Sequence, residues 1–176
     1  MELKEQIEGC INNNHKCQEF LFKKYSKKLM AICVRYFNKE EDAEDALSET
    51  FIKIFKNINQ FKGESVEALF FGWIKKIAIN ECLDRIRKDK FQFAQDTLEV
   101  HEFHLEDDSS YCSCSEKELL KMIQGLPKGF RIVFNLFAIE GYSHKEISEM
   151  IGISEGTSKS QYSRARKKLR EQLKSE

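Results

Sequence analysis

The most informative part of the sequence is residues 142–173, YSHKEISEMIGISEGTSKSQYSRARKKLREQL. Ser143 and Glu146 have the spacing of a capping box at the start of a short helix. Gly152 then permits a tight turn, and Ser154 is suited to cap a longer helix. Two helices joined by a short turn that contains glycine are typical of a helix-turn-helix. This stretch therefore predicts a helix-turn-helix that binds DNA.

The second helix of this motif, predicted over residues 154–173, has one apolar face. On a wheel of about 100° per residue, five residues share a direction and are expected to pack inward. They are Ser158, Tyr162, Ala165, Leu169 and Leu173. A buried serine needs a hydrogen-bond partner, and for Ser158 we expect a backbone acceptor.

The opposite side of this helix carries polar and basic residues. In a helix that enters the DNA groove, the exposed residues near the N-terminus meet base edges, and cations farther along meet phosphates. The predicted base-edge residues are Lys159, Ser160 and Ser163. The predicted phosphate-binding residues are Arg164, Arg166, Lys167 and Arg170. The alternative is a solvated helix whose cations only stabilise its C-terminus.

The chain as a whole is neutral, but its charges are segregated. It has 29 Lys and Arg against 29 Asp and Glu, and the net charge is +2 over residues 1–90, −7 over 91–118 and +5 over 119–176. A basic region after an acidic stretch indicates a nucleic-acid partner for the basic part.

The composition favours an all-α fold. The chain has 14 Phe but only 8 Gly and 1 Pro among 176 residues, which is typical of a folded, mostly helical protein. Apolar residues at helical spacing predict helices over 15–37, from a cap at Asn38 to about Ile58, over 70–88, from Ser115 to Leu126, and over 130–139. We predict two small helical domains, 1–91 and 115–176, joined by a flexible acidic linker, 92–114.

The linker contains His101, His104, Cys112 and Cys114, which are residue types that bind zinc. Their spacing does not match a C-x-x-C knuckle, so we predict no metal, although a metal or redox-sensor site is the alternative. The sequence also lacks a nucleophile-and-base constellation and a glycine-rich phosphate loop. We therefore predict no enzyme activity, no catalytic residue and no cofactor.

No segment of the sequence predicts insertion into a membrane. No apolar run approaches the roughly 20 residues that span a bilayer, and the start, MELKEQIEGC, lacks the pattern of a signal peptide. We expect a cytoplasmic protein whose six cysteines are reduced thiols.

Three phrases of the chain, in this order, resemble the extracytoplasmic-function (ECF) sigma factors of bacterial RNA polymerase. They are AEDALSETFIKIFKNI at 43–58, FGWIKKIAINECLDRIRK at 71–88, and LPKGFRIVFNLFAIEG followed by the opening stretch at 126–173. The resemblance spans about three quarters of the chain. It implies a sigma region 2 in the first domain and a sigma region 4, with the helix-turn-helix, in the second.

The resemblance implies functional surfaces in region 2. The AED helix would bind core RNA polymerase through Asp42, Glu44, Asp45, Ser48, Glu49 and Lys53. The helix at 70–88 and the loop before it would open and read minus-ten DNA through Phe61, Phe70, Phe71, Trp73, Lys76, Asn80 and Arg87. A merely solvated acidic face and a core role for Trp73 are the alternatives.

Some positions depart from the family pattern. Ser48 stands where Gln is frequent, Ser158 where Val is usual, and Gln161 where Arg is common, so that Gln161 is expected to remove one phosphate contact. The stretch from Phe61 to Trp73 is also longer than in the family. Promoter specificity therefore does not transfer from a relative.

The resemblance implies a transcription initiation factor that brings core RNA polymerase to specific promoters. Region 4 would bind the minus-thirty-five duplex, and an anti-sigma protein is a further candidate partner. We expect a monomer when the protein is free, since no sustained heptad predicts dimerisation. The alternative is a stand-alone helix-turn-helix regulator that binds duplex operators.

Overall fold

The computed structural model describes residues 2–63, 66–88 and 115–174, and within these ranges every regular element is helical. This confirms the all-α prediction. The helices are α1 Leu3–Ile11, α2 His15–Cys33, α3 Glu40–Asn57, α4 Glu67–Lys88, α5 Glu116–Gln124, α6 Lys128–Phe134, α7 His144–Ile151 and α8 Glu155–Lys174. A 3₁₀ turn, Ile58–Gln60, follows α3, and a π-helical turn, Asn135–Ile139, follows α6.

The chain forms two compact units, Met1–Phe91 and Gln92–Glu176, which we call unit 1 and unit 2. The predicted linker at 92–114, with its four candidate zinc ligands, lies outside the described residues. None of the described helices is long and apolar enough to cross a membrane.

Unit 1 is built on the mutual packing of α2, α3 and α4. Its core includes Tyr25 and Leu29 of α2, Ile54 of α3, and Phe70 and Ile74 of α4, all of which are almost fully buried. The Tyr25 and Phe70 rings lie 5.6 Å apart between centroids in a tilted arrangement that aromatic pairs favour. Helix α4 is therefore held on two sides by α2 and α3, and this fixes which of its faces is open to solvent.

The boundaries of the first helices differ from those predicted. Helix α2 ends at Cys33, and a turn carries Tyr36 and Phe37 into the core. Lys39, and not Asn38, is the N-cap of α3, and no side chain caps this helix. Three acidic residues in the first turn of α3 stabilise that end through the helix dipole instead.

Helix α1 was not predicted from the sequence. It begins with a capping box between Glu2 and Glu5 and packs against α2, burying Ile7 and Cys10. Asn14 starts α2 by accepting hydrogen bonds from the backbone N–H groups of Lys16 and Cys17.

In unit 2 the two predicted capping boxes are confirmed. The Ser115 N–H donates to Glu118 Oε2 at 2.8 Å, and the Glu118 N–H donates to Ser115 Oγ at 3.3 Å. Ser143 and Glu146 make the same reciprocal pair at the start of α7, at 2.8 and 3.2 Å. Local hydrogen bonds thus set where α5 and α7 begin.

The predicted helix over 130–139 is divided in the structure. Helix α6 begins at Lys128, after Pro127, and changes into the π-helical turn at Asn135. The Asn135 and Leu136 side chains are buried there. Helix α8 packs against α6 through a core of Leu126, Ala165 and Leu169, which Met122, Phe130 and Phe134 surround.

Candidate nucleic-acid interface

Helices α7 and α8 form the predicted helix-turn-helix. Gly152 ends α7 in the left-handed conformation, with φ 73° and ψ 37°, and its N–H donates to the Ser148 carbonyl. The Thr157 N–H donates to Ser154 Oγ at 3.0 Å, so the predicted cap of α8 is confirmed. A left-handed residue directly after α7 turns the chain sharply and sets the direction in which α8 leaves.

The inward face of α8 agrees with the helical wheel at its centre and differs at its edges. Ser158, Ala165 and Leu169 are buried as predicted, whereas Tyr162 and Leu173 are only half-buried. Gln161 is also buried, at 4% exposure, against Gly129 of α6. A Cβ atom at Gly129 would lie 3.1 Å from Gln161 Oε1, so this glutamine fills space in the interior next to α6.

Ser158 has a side-chain partner and not the backbone acceptor that we expected. Its Oγ lies 2.9 Å from His144 Nδ1, which joins the first residue of α7 to α8. The His144 ring stacks on Phe137, with centroids 4.2 Å apart and an angle of 11° between the ring planes. Burial lowers the pKa of His144, and the positive charge of Lys159 lowers it further, while Glu155 acts in the opposite direction. The neutral imidazole is thus favoured, and its Nδ1 shares a hydrogen bond with the serine hydroxyl whose donor depends on the tautomer of the ring.

The proposed DNA-facing residues of α8 differ in how far they are exposed. Lys159 and Lys167 are exposed, while the others are half-buried; these are Ser160, Ser163, Arg164, Arg166 and Arg170. The Ser160 hydroxyl donates to the Thr157 carbonyl at 3.0 Å, so its oxygen remains only as an acceptor. The Arg166 guanidinium lies 5.7 Å from the centre of the Tyr162 ring, a cation–π distance that orients it along the helix.

One side of α4 in unit 1 is open to solvent. It carries the polar residues that were predicted to bind minus-ten DNA. Lys76, Asn80 and Arg87 are exposed on it, and Trp73 is half-buried at its edge. Arg87 Nη1 donates to Asp84 Oδ1 at 3.1 Å. This side of α4, with Trp73, Lys76, Asn80 and Arg87, is called the α4 stripe below.

The predicted aromatic residues of this region are placed at different depths. Phe70 is 1% exposed, so it belongs to the core and presents no face to DNA. It supports Trp73 and Phe61, whose rings lie 5.9 and 5.2 Å from its own between centroids. Phe71 is half-buried, stacks on Tyr25 at 6.2 Å and has Lys28 Nζ 5.5 Å above its ring. Of the four aromatic residues, Phe61 and Trp73 combine partial exposure with a shared edge.

The outward side of α3 is acidic. Asp42, Glu44, Asp45 and Ser48 are exposed, and Glu49 is half-buried. Ser48 Oγ donates back to the Glu44 carbonyl at 2.9 Å. These five residues are called the α3 acidic face below.

Lys53 was predicted for the same surface, but it points toward α4. Its Nζ lies 2.5 Å from Oε2 of the buried Glu81 and 3.6 Å from Asp84 Oδ2. The bond with Glu81 raises the pKa of Lys53. Sequence reasoning did not single out Glu81, because the helical spacing of α4 does not show which neighbouring helix faces it.

A cleft lies between the start of α3 and the end of α4. It has a volume of about 370 Å³ and is lined by Phe37, Asp42, Glu49, Glu81, Arg85 and Lys88. Both signs of charge line it. Within the described ranges, no group of three or more His, Cys, Asp and Glu residues is arranged to hold a metal.

Family comparisons agree with the order of these elements. The sigma-70 region 2 family matches residues 21–92, and the sigma-70 region 4 family matches residues 116–169. The ECF RNA polymerase sigma factor SigE of Mycolicibacterium smegmatis is 28% identical over 159 residues, which cover 87% of this chain and 60% of SigE. The chain thus spans less than two thirds of that relative.

Two further comparisons cover more of the matched protein. The sigma factor RpoE from Bartonella quintana, solved in complex with the anti-sigma factor NepR, has a TM-score of 0.54 and 24% identity over 89% of this chain and 96% of RpoE. That likeness shows the fold alone. The ECF RNA polymerase sigma factor SigW of Bacillus subtilis is 30% identical over 161 residues, which cover 85% of this chain and 84% of SigW. With both sigma-70 regions in order and this match to SigW, the chain belongs to the ECF subfamily of the sigma-70 factors.

Proposed function

We propose that the protein is an alternative sigma factor that binds core RNA polymerase in the cytoplasm and directs it to specific promoters. The observation that carries the proposal is the presence of both sigma-70 regions, with a helix-turn-helix whose second helix exposes cations. The protein acts as a specificity subunit and contributes no bond-making step of its own.

In this proposal α8 binds the minus-thirty-five duplex. Lys159 lies near its N-terminus and is exposed, as a residue that reads a base edge must be. Ser160 and Ser163 lie beside it, and Ser160 offers an acceptor. Arg164, Arg166 and Lys167 follow along the helix, where cations bind phosphates and fix the register of the protein on the duplex.

The α4 stripe binds the minus-ten element as an opened single strand. Bases stack on aromatic rings at about 1 to 3 kcal/mol each, and cations follow the backbone, so Trp73 beside Lys76, with Arg87 farther along the same side of α4, suits this ligand. Phe61 extends the aromatic surface, and Asn80 adds a hydrogen-bonding amide. Phe70 supports the Phe61 and Trp73 rings from the core. Phe71 packs on Tyr25 of α2.

The α3 acidic face binds core RNA polymerase. Complementary charge gives orientation and a fast encounter, so an acidic face fits a basic surface on the partner. Lys53 supports this face from its position against α4 and is not itself a contact. An anti-sigma protein is a further proposed partner, because RpoE, which shares this fold, was solved with one.

The proposal is tested by a binding selection with purified core RNA polymerase. A library of genomic fragments is incubated with core polymerase, with the chain, and with both together, and the retained fragments are sequenced. We expect a defined set of fragments, sharing one upstream and one downstream motif, only when both are present. Fragments retained equally by the chain alone would contradict the proposal and favour a stand-alone operator-binding regulator.

A matched variant sharpens this selection. Lys4 of α1 is an exposed lysine outside all three proposed surfaces. Lys4→Ala should leave the retained set unchanged, whereas Lys159→Ala should alter the upstream motif and leave the downstream motif intact.

A further inference from the structure

Glu81 of α4 is a carboxylate buried in the middle of unit 1, at 3% exposure. A buried charge is unfavourable unless it is paired, and both oxygens of Glu81 are paired. Oε2 lies 2.5 Å from Lys53 Nζ of α3, and Oε1 accepts a hydrogen bond from Arg85 Nε at 3.1 Å. Glu81 therefore holds two cations, one from each helix.

The cation from α4 is shared with the α3 acidic face. Arg85 Nη1 lies 3.4 Å from Oδ2 of Asp45, whose side chain is 72% exposed. At this distance the bond is weaker than the one to Glu81, because hydrogen bonds of charged groups are normally about 2.7 to 2.9 Å long. Arg85 is thus shared between the buried carboxylate of Glu81 and the exposed carboxylate of Asp45.

Lys53, the cation from α3, is linked through Asp84 to Arg87 of the α4 stripe. Lys53 Nζ lies 3.6 Å from Asp84 Oδ2, and the other oxygen of Asp84 accepts from Arg87 at 3.1 Å. A continuous series of ion pairs therefore runs from Asp45 through Arg85, Glu81, Lys53 and Asp84 to Arg87. Glu81 is the buried member at its centre.

Removing the charge of Glu81 would redistribute its two cations. Arg85 and Lys53 would retain only the surface carboxylates Asp45 and Asp84 as partners in the series. Closer pairing with Arg85 would reduce the negative charge that Asp45 presents to solvent. A basic partner surface would then bind the α3 acidic face less tightly.

We propose that Glu81 is a positioning residue for polymerase binding. It retains Arg85 and Lys53 inside unit 1, and the α3 acidic face therefore stays negative. This inference rests on the proposed function, in which that face binds core RNA polymerase. Glu81 acts through Arg85 on Asp45 and does not touch the polymerase itself.

The test measures the affinity of the full chain for purified core RNA polymerase. Glu81→Gln keeps the shape of the side chain and removes its charge, and we expect binding to weaken about 5- to 10-fold. Glu19→Gln is the matched control, since Glu19 also pairs with a lysine, Lys23, but on the surface of α2. It should leave the affinity unchanged, and a Glu81→Gln variant with wild-type affinity would overturn the proposal.

A double variant separates positioning from loss of structure. Adding Arg85→Gln to Glu81→Gln removes the cation that competes for Asp45, so affinity should return to within about twofold of wild type. A merely structural role of Glu81 predicts a further loss, which would overturn the proposal. If Glu81→Gln loses the wild-type circular dichroism spectrum, Arg85→Gln alone decides: it should keep or raise the affinity, and a loss would count against the proposal.

Asp45→Asn distinguishes failure of this inference from failure of the proposed function. If Asp45→Asn leaves the affinity unchanged, Asp45 is not a polymerase-binding residue, and the role of Glu81, which acts through Asp45, fails with that assignment. If Asp45→Asn weakens binding but Arg85→Gln does not rescue Glu81→Gln, only the role of Glu81 is overturned.

Discussion

His144 and Ser158 form a polar contact between the two helices of the helix-turn-helix. Ser158 stands where the family usually has Val. Their hydrogen bond is 2.9 Å long, and Ser158 is completely buried. A buried hydroxyl that loses its partner is destabilising by about 1 to 3 kcal/mol, so the contact with His144 stabilises the buried position of Ser158. The contact thus joins the first residue of α7 to the buried face of α8.

This pair predicts that unit 2 loses stability in mild acid. Because the folded pKa of His144 lies below its ordinary value of 6.5, the unfolded chain takes up a proton first as the pH falls. The stability contribution is complete above pH 6.5 and is lost as the pH falls through 6.5 to the lower folded pKa. Urea unfolding at a series of pH values should show this decline. His144→Gln cannot titrate and should flatten it; an equal slope in both proteins would contradict the assignment.

Sequence reasoning reached the burial of Ser158 but not its partner. The helical wheel places Ser158 inward because burial on one helix follows its own periodicity. The partner depends on how α7 crosses α8, and His144 is 14 positions away along the chain. Gln161 lies at the edge of the same face, where the packing of Gly129 decides whether a polar residue is buried.

Helix α8 is the element on which the proposed duplex readout depends, and its residues should divide into two classes. Lys159→Ala should weaken binding to the cognate duplex by about 1 to 3 kcal/mol and relax the preference at one base pair. Arg164→Ala should weaken all sequences similarly and lower the salt dependence by about one unit of slope. Fluorescence anisotropy of holoenzyme on matched and mismatched duplexes, at several salt concentrations, measures both. Identical behaviour of the two variants would contradict the assigned faces.

A side chain at the glycine between α7 and α8 should lower the stability of the protein. Gly152 has φ 73°, and a Cβ atom at this position would have no neighbour within 4 Å, so any penalty for Gly152→Ala comes from the backbone alone. We expect a loss of about 1 kcal/mol in unfolding free energy. Gly156→Ala is the control, because Gly156 lies in the first turn of α8 without a positive φ, so alanine should not destabilise there. Thermal unfolding compares them, and equal effects of the two substitutions would rule out strain at Gly152.

The elements that the sequence predicts correctly are those set by local interactions. The capping boxes at Ser115 and Ser143 are formed by residues three positions apart, and these require no knowledge of the rest of the fold. The predicted end of α2 is wrong because Tyr36 continues the apolar periodicity but reaches the core from a turn. The outward placement of Lys53 fails for a similar reason, since only the packing of α3 against α4 turns it toward Glu81.

The whole molecule has a net charge of zero, but its proposed functional surfaces differ in charge. Unit 1 combines the α3 acidic face with the basic and aromatic α4 stripe, and unit 2 carries the cations of α8. Each proposed surface is small, so the affinity for a promoter should come from several contacts made together, through polymerase. The charge distribution of the sequence predicted only the basic α8 region and the acidic stretch before it, whereas the α3 and α4 surfaces were implied by the family resemblance.

Run-off transcription shows whether the protein makes core RNA polymerase start at specific promoters. Purified core RNA polymerase is given a promoter fragment obtained from the binding selection, with and without the full chain. We predict a transcript of defined length only when the chain is present, which is lost when either selected motif is scrambled. No transcript above that of core polymerase alone, on any selected fragment, would contradict the account.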